Sequence, residues 1–352
     1  MRRRKIIEEP VTRRGLILPA ILALLMALAV VHEARARDIV DAKGRTVTIP
    51  DAPARVFAAG PPASVLLYAV APEAMVGWVR APRDSDLPYL LPATHGLPEL
   101  GRLAGRGGDV TLEVLLATQP DLIVNFGTVN SSYIDLANSI TDQTGIPYIL
   151  IDGSFENTPA ALRMMGEAMG VPARGEALAA YAEETLARVD AVLAEVAPQA
   201  RPQVYLARGS EGLETPARGS VNAEIVERVG ATNVALGETR GLITPSLEQV
   251  IAWAPDTILT IDRDFAASVR ENADWQAVPA VAEGRVLLAP SAPFGWIDSP
   301  PSINRLIGLR WLSHSFYPDQ TQGDLRAEVR DFHRLFWQVE PDEAMLDRLL
   351  GN

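Results

Sequence analysis

The fold of this 352-residue chain is decided by the stretch Thr111-Leu112-Glu113-Val114-Leu115-Leu116-Ala117-Thr118-Gln119-Pro120-Asp121-Leu122-Ile123, whose pattern returns as Ser246-Leu247-Glu248-Gln249-Val250-Ile251-Ala252-Trp253-Ala254-Pro255-Asp256-Thr257-Ile258. In each copy a Thr or Ser predicts a helix N-cap, a Glu lies in the first turn, and apolar residues follow at helical spacing. A Pro-Asp turn then leads into an apolar strand. The copies lie too far apart for a solenoid repeat, so they favour two similar lobes, each with its own helix-to-strand unit.

Composition limits the class of protein. The length predicts about two domains. A formal net charge of -12 argues against a nucleic-acid partner, because phosphate binding requires a basic face. The chain has no cysteine, which excludes disulfides, thiolate metal sites, iron–sulfur clusters and a lipid-modified N-terminal cysteine.

The N-terminus has the order of a signal peptide. Basic residues at 2–5 and 13–14 precede an apolar run over 15–31, and Ala34-Arg35-Ala36 is a small-x-small cleavage site. We therefore predict a signal peptide over residues 1–36, cleavage near Ala36 and a periplasmic location. A single membrane anchor is the alternative interpretation, and the choice between Sec and twin-arginine export stays open.

Strands alternate with helices along the remaining chain, which predicts an α/β fold with mainly parallel sheets. We expect an N-terminal α/β lobe over 37–157, a connecting helix over 158–199, and a C-terminal α/β lobe with terminal helices over 200–352. The connector is predicted from two helical runs, 159–169 and 173–196, which are interrupted by Gly170-Val171-Pro172.

Sequence motifs do not indicate an enzyme. The chain lacks the Gly-x-Ser-x-Gly elbow, the phosphate-binding Gly-x-x-x-x-Gly-Lys loop and the dinucleotide fingerprint. His95, His314 and His333 are scattered, without the spacing of a zinc protease, so we predict no metal site formed by the protein alone. An exported hydrolase that uses a pair of carboxylates stays as an alternative, because no particular pair stands out.

Loops at predicted strand ends supply the candidate binding residues, because open α/β sheets bind ligands there. The loop 291–305 carries Trp296 to lie against a ligand face, Asp298, and Arg305 to reach an anion. The loop 208–220 carries Arg208 and Arg218. In the first lobe the equivalent positions are 60–64 and 126–128, with Pro61, Ser64 and Phe126.

The chain resembles the substrate-binding proteins of ABC importers for iron–siderophore, haem and vitamin B12 uptake. The resemblance covers nearly all of residues 38–340 and rests on the two repeat copies, on Arg55-Val56, and on two further stretches. These are Glu224-Ile225-Val226-Glu227-Arg228-Val229-Gly230-Ala231-Thr232-Asn233-Val234 and Gly295-Trp296-Ile297-Asp298-Ser299-Pro300-Pro301-Ser302-Ile303-Asn304-Arg305.

The resemblance implies two Rossmann-like α/β lobes joined by a single long α-helix, with the ligand in a cleft between them and little lobe motion on binding. It also implies that Glu113 and Glu248, one per lobe, pair with arginines of the permease. The partners would be an ABC permease dimer with its cytoplasmic ATPase and a small metal-chelate ligand, and the protein would act as a monomer without a cofactor of its own.

The expected function is therefore a periplasmic protein that captures an iron(III) chelate of the siderophore type. Alternatives within the family are molybdate, tungstate or another metal species, for which Arg263 is a further candidate beside Arg208, Arg218 and Arg305, and cobalamin or haem. An aromatic content of 6% argues mildly against a large aromatic ligand. A sensor or adhesion module without a permease is the remaining alternative.

Overall fold

Two parallel β-sheets form the framework of the protein, whose computed structural model describes residues 36–105, 109–237 and 241–351. The first sheet has the strand order β3-β4-β5, and the second has the order β11-β10-β6-β8. Strands β1 and β2 pair with each other at the start of the described chain, and β7 pairs with β9 antiparallel. The predicted α/β class is confirmed.

The strands are β1 (Ala36–Val40), β2 (Thr46–Pro50), β3 (Val56–Ala58), β4 (Leu122–Gly127), β5 (Tyr148–Asp152), β6 (Gln203–Ala207), β7 (Thr215–Pro216), β8 (Thr232–Asn233), β9 (Leu242–Ile243), β10 (Thr257–Thr260) and β11 (Val286–Leu288). The α-helices are α1 (Pro61–Val70), α2 (Leu112–Ala117), α3 (Ser131–Thr144), α4 (Thr158–Ala168), α5 (Pro172–Glu195), α6 (Glu224–Arg228), α7 (Leu247–Trp253), α8 (Arg263–Ser268), α9 (Pro279–Ala282), α10 (Arg305–Phe316), α11 (Leu325–Phe332) and α12 (Glu343–Leu350). A π-helical turn, His333–Trp337, continues α11.

The repeated stretch forms the same unit in both halves. Helix α2 leads into β4, the middle strand of the first sheet, and α7 leads into β10 of the second. The hydroxyl of Thr111 accepts a hydrogen bond from the Val114 amide, and Ser246 accepts one from Gln249, so both predicted N-caps are formed.

The Pro-Asp pair at the end of each copy has a structural role. The residue before the proline has a left-handed backbone, with φ of 47° at both Gln119 and Ala254, which turns the chain out of the helix. The aspartate that follows accepts an amide at the start of the neighbouring strand: Asp121 binds the Arg55 amide at 3.1 Å, and Asp256 binds the Gln203 amide at 3.0 Å. The motif therefore fastens each short helix to its sheet.

The predicted connector, residues 158–199, holds two helices rather than one. Helices α4 and α5 pack closely, because Gly166 and Gly175 face each other and leave no room for a side chain. Of these two helices, α5 is the one that passes between the two cores. Leu178 in its first half belongs to the core cluster of the first sheet, and Val189 in its second half belongs to the cluster that contains β6 residues.

The terminal helices differ from the predicted boundary, which placed them in the second lobe. Residues of α11, the π-turn and α12 lie in the same core cluster as the first sheet. Two hydrogen bonds join them to it: the hydroxyl of Tyr68 donates to the carbonyl of Trp337 at 2.8 Å, and that of Tyr89 donates to Met345 at 3.2 Å. The end of the chain thus completes the first core.

The predicted signal peptide falls on residues 1–36, all but the last of which lie outside the described residues. Within the part of the chain that the structure describes, no helix has the length and apolar character needed to cross a membrane.

Candidate functional site

A cleft of about 960 Å³ opens at the carboxyl ends of the strands of both sheets. Its walls come from the loops after β3 and β4 on one side and from the loops after β6, β10 and β11 on the other. Carboxyl ends of parallel strands are where open α/β sheets bind ligands. Six of the nine predicted ligand-binding residues line it together, and these are Pro61, Ser64, Phe126, Arg208, Arg263 and Asp298.

Charged side chains of both signs line the cleft, with arginines in slight excess. The lining holds five arginines, namely Arg80, Arg83, Arg102, Arg208 and Arg263, and four aspartates, namely Asp86, Asp262, Asp264 and Asp298. Arg83 donates to Asp86 at 2.8 Å, and Arg208 pairs with both Glu214 and Asp298. Arg80 and Arg263 are exposed, and neither forms an ion pair with any described residue. Two uncompensated cations that reach one cleft from different sheets favour an anionic ligand.

Asp298 orients the polar side chains around it in the cleft wall. Its carboxylate is fully buried, and it accepts hydrogen bonds from the Arg208 guanidinium, from Asn222 at 2.7 Å and from the Ser299 amide at 2.7 Å. These donors compensate its charge. Asp298 therefore holds Arg208 against the cleft wall, whereas Arg80 and Arg263 form no ion pair with a described residue.

The loop 291–301 contributes a different aromatic residue from the one predicted. Phe294 lines the cleft and packs in a T-shaped arrangement on Tyr68, with ring centroids 6.3 Å apart, and its ring lies 6.0 Å from that of Trp78. Trp296 is 1% exposed and belongs to the core cluster of the first sheet. The structure does not bring Trp296 into the cleft lining.

Arg218 and Arg305 also lie outside the cleft lining. Arg218 donates to the carbonyl of Asn233 at 3.0 Å. Arg305 is 1% exposed and donates to the carbonyls of Val221 at 2.8 Å and Gly153 at 2.9 Å. It also lies 3.2 Å from the Glu224 carboxylate.

The environment of Arg305 is that of a structural link. Its guanidinium lies 4.2 Å from the centroid of the Phe155 ring. Burial lowers the pKa of Arg305, and the neighbouring Glu224 carboxylate opposes that change. The side chain joins Gly153, which follows the first sheet, to Val221 and α6, which pack with the second.

The histidines do not converge. His333 is fully buried, and burial lowers its pKa to about 3. His314 lies 3.4 Å from Glu328, and His95 contacts the carbonyl of Leu90. Among residues 36–105, 109–237 and 241–351 no group of three or more His, Asp or Glu side chains is placed to hold a metal ion.

A family model described as "Periplasmic binding protein" matches residues 69–293, a span that includes both repeat copies and most of the cleft loops. The chain belongs to this family. Its members are binding proteins of transport systems, so the coarse function is that of a periplasmic substrate-binding protein that works with an ABC transporter.

Similar proteins agree on the architecture. The chain is 27% identical over 277 residues to the molybdate-binding protein MolA of Haemophilus influenzae, a match that covers 70% of this chain and 76% of that protein. A solved ABC transporter solute-binding protein from Sulfurospirillum deleyianum superposes with a TM-score of 0.82 at 27% identity, over 90% of this chain and 99% of that one. The structure of MolA bound to molybdate superposes with a TM-score of 0.72 at 24% identity, over 87% and 99% of the two chains.

Sequence reasoning missed several residues of the cleft. Arg80 and Arg83 lie in the stretch 80–108, whose length and richness in Pro and Gly indicate a functional or rim loop without identifying a residue. Asn125 and Asn222 were missed because an amide in a strand or loop has no spacing signature. Trp78 lies in an apolar stretch of the sequence, which predicts a strand but does not indicate contact with a ligand.

Glu113 and Glu248 lie away from the cleft lining, exposed in the first turns of α2 and α7. A hydrogen bond from the Ser246 side chain lowers the pKa of Glu248, so this carboxylate is ionised at neutral pH. Two large apolar side chains of α2, Val114 and Leu116, are also exposed beside Glu113.

Proposed function

We propose that this protein binds an anionic iron(III) chelate in the cleft and delivers it to the permease of an ABC importer. The observation that carries the proposal is the pair of exposed arginines, Arg80 and Arg263, which line one cleft from the loops of two sheets without an acidic partner among the described residues. Guanidinium groups bind carboxylate and other oxygen-rich anions through paired hydrogen bonds, and such bonds are stronger when one partner is charged.

The size of the cleft supports a chelate over a bare ion. Pockets for organic ligands commonly enclose about 300–1,000 Å³. The cleft, at about 960 Å³, lies at the upper end of that range and includes the apolar face of Phe294. A chelate with an organic frame would contact both Phe294 and the arginines.

Molybdate or tungstate is the second candidate, and a specific observation favours it. The relative from Haemophilus influenzae that shares 27% identity with this chain is named for molybdate binding. A tetrahedral oxyanion presents oxygen atoms to which arginines such as Arg80 and Arg263 can donate hydrogen bonds.

Isothermal titration of the chain without residues 1–36 tests the proposal. The probes are ferric citrate, a panel of anionic ferric siderophores, molybdate and tungstate. We expect a chelate to bind more tightly than the oxyanions, and we expect Arg80→Ala and Arg263→Ala each to raise its Kd about tenfold or more, since a charge-assisted hydrogen bond contributes about 1.5–3 kcal/mol.

Arg348→Ala is the matched control, because Arg348 is exposed on α12 and does not line the cleft. Its Kd should equal that of the wild type. Tight binding of molybdate with no binding of any chelate would replace the main proposal by the second candidate. Unchanged affinity in both cleft variants would contradict an anion site altogether.

We further propose that Glu113 and Glu248 dock the protein on the permease. The two carboxylates occupy equivalent positions in the two repeat units, and both are exposed. The double variant Glu113→Ala, Glu248→Ala should keep its ligand affinity and lose stimulation of the transporter's ATPase. The control double variant Glu195→Ala, Glu271→Ala removes the same charge from exposed sites elsewhere and should stimulate normally. Full stimulation by the first variant would remove the two glutamates from the docking surface.

A further inference from the structure

Two buried polar side chains lie at the floor of the cleft, and one of them has no hydrogen-bond partner among the described residues. Ser64 is 4% exposed, and its hydroxyl contacts no donor or acceptor of the described residues. Asn125, whose side chain ends in an amide, is 5% exposed. Both line the cleft. Because a buried polar group without a partner costs stability, each such group in a native protein requires an explanation.

The backbone brings the two residues to the same place. Asn125 lies near the carboxyl end of β4, which pairs with β3 in the register Ala58 opposite Val124. Two residues separate the end of β3 from the start of α1, and Ser64 lies in the first turn of this helix. Both side chains therefore belong to the carboxyl edge of the first sheet, where a ligand in the cleft reaches it.

The start of α1 is unusual for a helix that faces an anion. Its N-cap, Gly60, has no side chain to cap the helix, and the first two positions are Pro61 and Pro62, which have no amide hydrogen. The Ser64 amide is occupied by the carbonyl of Gly60 at 3.1 Å. The N-terminus of α1 therefore keeps the positive end of the helix dipole. It offers fewer free backbone amides to an anion than helix N-termini usually do. The Ser64 hydroxyl is the side-chain donor that this turn offers.

We infer that Ser64 and Asn125 form an oxyanion subsite at the floor of the cleft, in which the Ser64 hydroxyl and the Asn125 side-chain nitrogen donate to oxygen atoms of the bound anion. This inference rests on the proposed function. Its ligand chemistry is an oxygen that only accepts hydrogen bonds, such as a carboxylate oxygen of a chelate or an oxo group of an oxometallate. Arg80 and Arg263 attract and hold the charge, and the two neutral donors select the geometry of the oxygens.

The test uses the chain without residues 1–36, with ferric citrate and sodium molybdate as separate probes. Ser64→Ala removes the hydroxyl, and Asn125→Leu replaces the amide by an apolar group of similar size. Each is expected to raise the Kd of the bound probe about five- to tenfold, which corresponds to the loss of one hydrogen bond. The probe that shows this response identifies the source of the oxygens.

Stability provides a second readout that separates a ligand-binding role from a structural one. Since the Ser64 hydroxyl has no partner among the described residues, Ser64→Ala should melt at the same temperature as the wild type or higher, while it binds more weakly. Ser315→Ala is the control: Ser315 is exposed on α10 and does not line the cleft, so the Kd of this variant should stay within about twofold of wild type.

The outcomes are distinct. If Arg80→Ala weakens binding but Ser64→Ala and Asn125→Leu leave the Kd unchanged, the subsite is wrong and the proposed function stands. A lower melting temperature for Ser64→Ala would assign the hydroxyl a structural partner and overturn the subsite as well. If the wild type binds neither the chelates nor the oxyanions, both the proposed function and the subsite are wrong.

Discussion

Substitution of Arg305 by alanine should destabilise the protein strongly and leave the ligand affinity of the folded variant unchanged. Arg305 donates hydrogen bonds to the carbonyls of Gly153 and Val221 and pairs with Glu224, and it is 1% exposed. Removing it leaves two carbonyls without this donor, and it leaves the partly buried Glu224 carboxylate with the Phe155 amide but without its cation. It also removes the cation that lies over the Phe155 ring.

The expected loss in the free energy of unfolding is about 3–5 kcal/mol. Breaking a buried ion pair by removing one partner commonly costs about this amount, because the other charge stays behind in a poorly hydrated place. The two neutral carbonyls add an unsatisfied-acceptor cost of about 1–3 kcal/mol each in isolation, although these contributions are not additive. Glu224→Gln keeps an acceptor for Arg305 and should cost less than Arg305→Ala.

Urea unfolding followed by tryptophan fluorescence measures the stability, and isothermal titration measures the affinity of the folded variant. Arg348→Ala, an exposed arginine substitution, is the control and should change the free energy of unfolding by less than about 0.5 kcal/mol. A loss below about 1 kcal/mol in Arg305→Ala would refute the structural role. A large rise in Kd at unchanged stability would restore the prediction, made from the sequence, that Arg305 contacts the ligand.

Two further predictions concern the core. Burial lowers the pKa of His333 to about 3 from its ordinary value near 6.5. As the pH falls, His333 therefore takes up a proton in the unfolded chain before it does so in the folded protein. The free energy of unfolding should drop by about 1.4 kcal/mol per pH unit between those two pKa values. In urea unfolding at pH 7, 5.5 and 4.5, the free energy of unfolding of His333→Phe should depend less on pH than that of the wild type. An equal dependence in the two proteins would contradict the lowered pKa of His333. A Cβ on Gly175 would lie 2.8 Å from the carbonyl oxygen of Leu162, so Gly175→Ala should cost about 1–3 kcal/mol. Gly96→Ala, which enters open space, should melt like the wild type, and equal melting of the two variants would show that α4 and α5 can separate freely.

The elements that could be predicted from the sequence are those whose signals are local. Thr111 and Ser246 cap their helices as predicted, because a hydroxyl N-cap acts on amides only two or three residues away. The apolar runs after each Pro-Asp pair are the middle strands of two sheets, since a buried parallel strand requires a continuous apolar stretch.

The cleft was predictable in position but only partly in its residues. Loops at strand ends supplied Ser64 and Arg208, because parallel topology alone places those loops at one edge. Which aromatic residue of a loop faces the cleft depends on the path of the backbone, so Phe294 and Trp296 could not be distinguished. For the same reason Arg305, the first residue of α10, looked like a ligand contact until its buried partners were seen.

The connector shows how a long-range contact changes a local interpretation. The sequence Gly170-Val171-Pro172 indicates a break between two helical runs, but nothing local gives the angle between them. That angle follows from Gly166 and Gly175, which allow the two backbones to touch. The predicted single connector therefore becomes a helix of the first lobe followed by the helix that crosses to the second.

The return of the terminal helices to the first core has a consequence for the order of folding. Synthesis proceeds from the N-terminus, and domains generally fold as units while the chain emerges. Here Phe332, Phe336 and Leu346 belong to the same cluster as β3 and β4, so the first core lacks one wall until these residues have been made. The second lobe is synthesised before that wall, and the core whose strands emerge first is therefore expected to close after the second lobe is already complete.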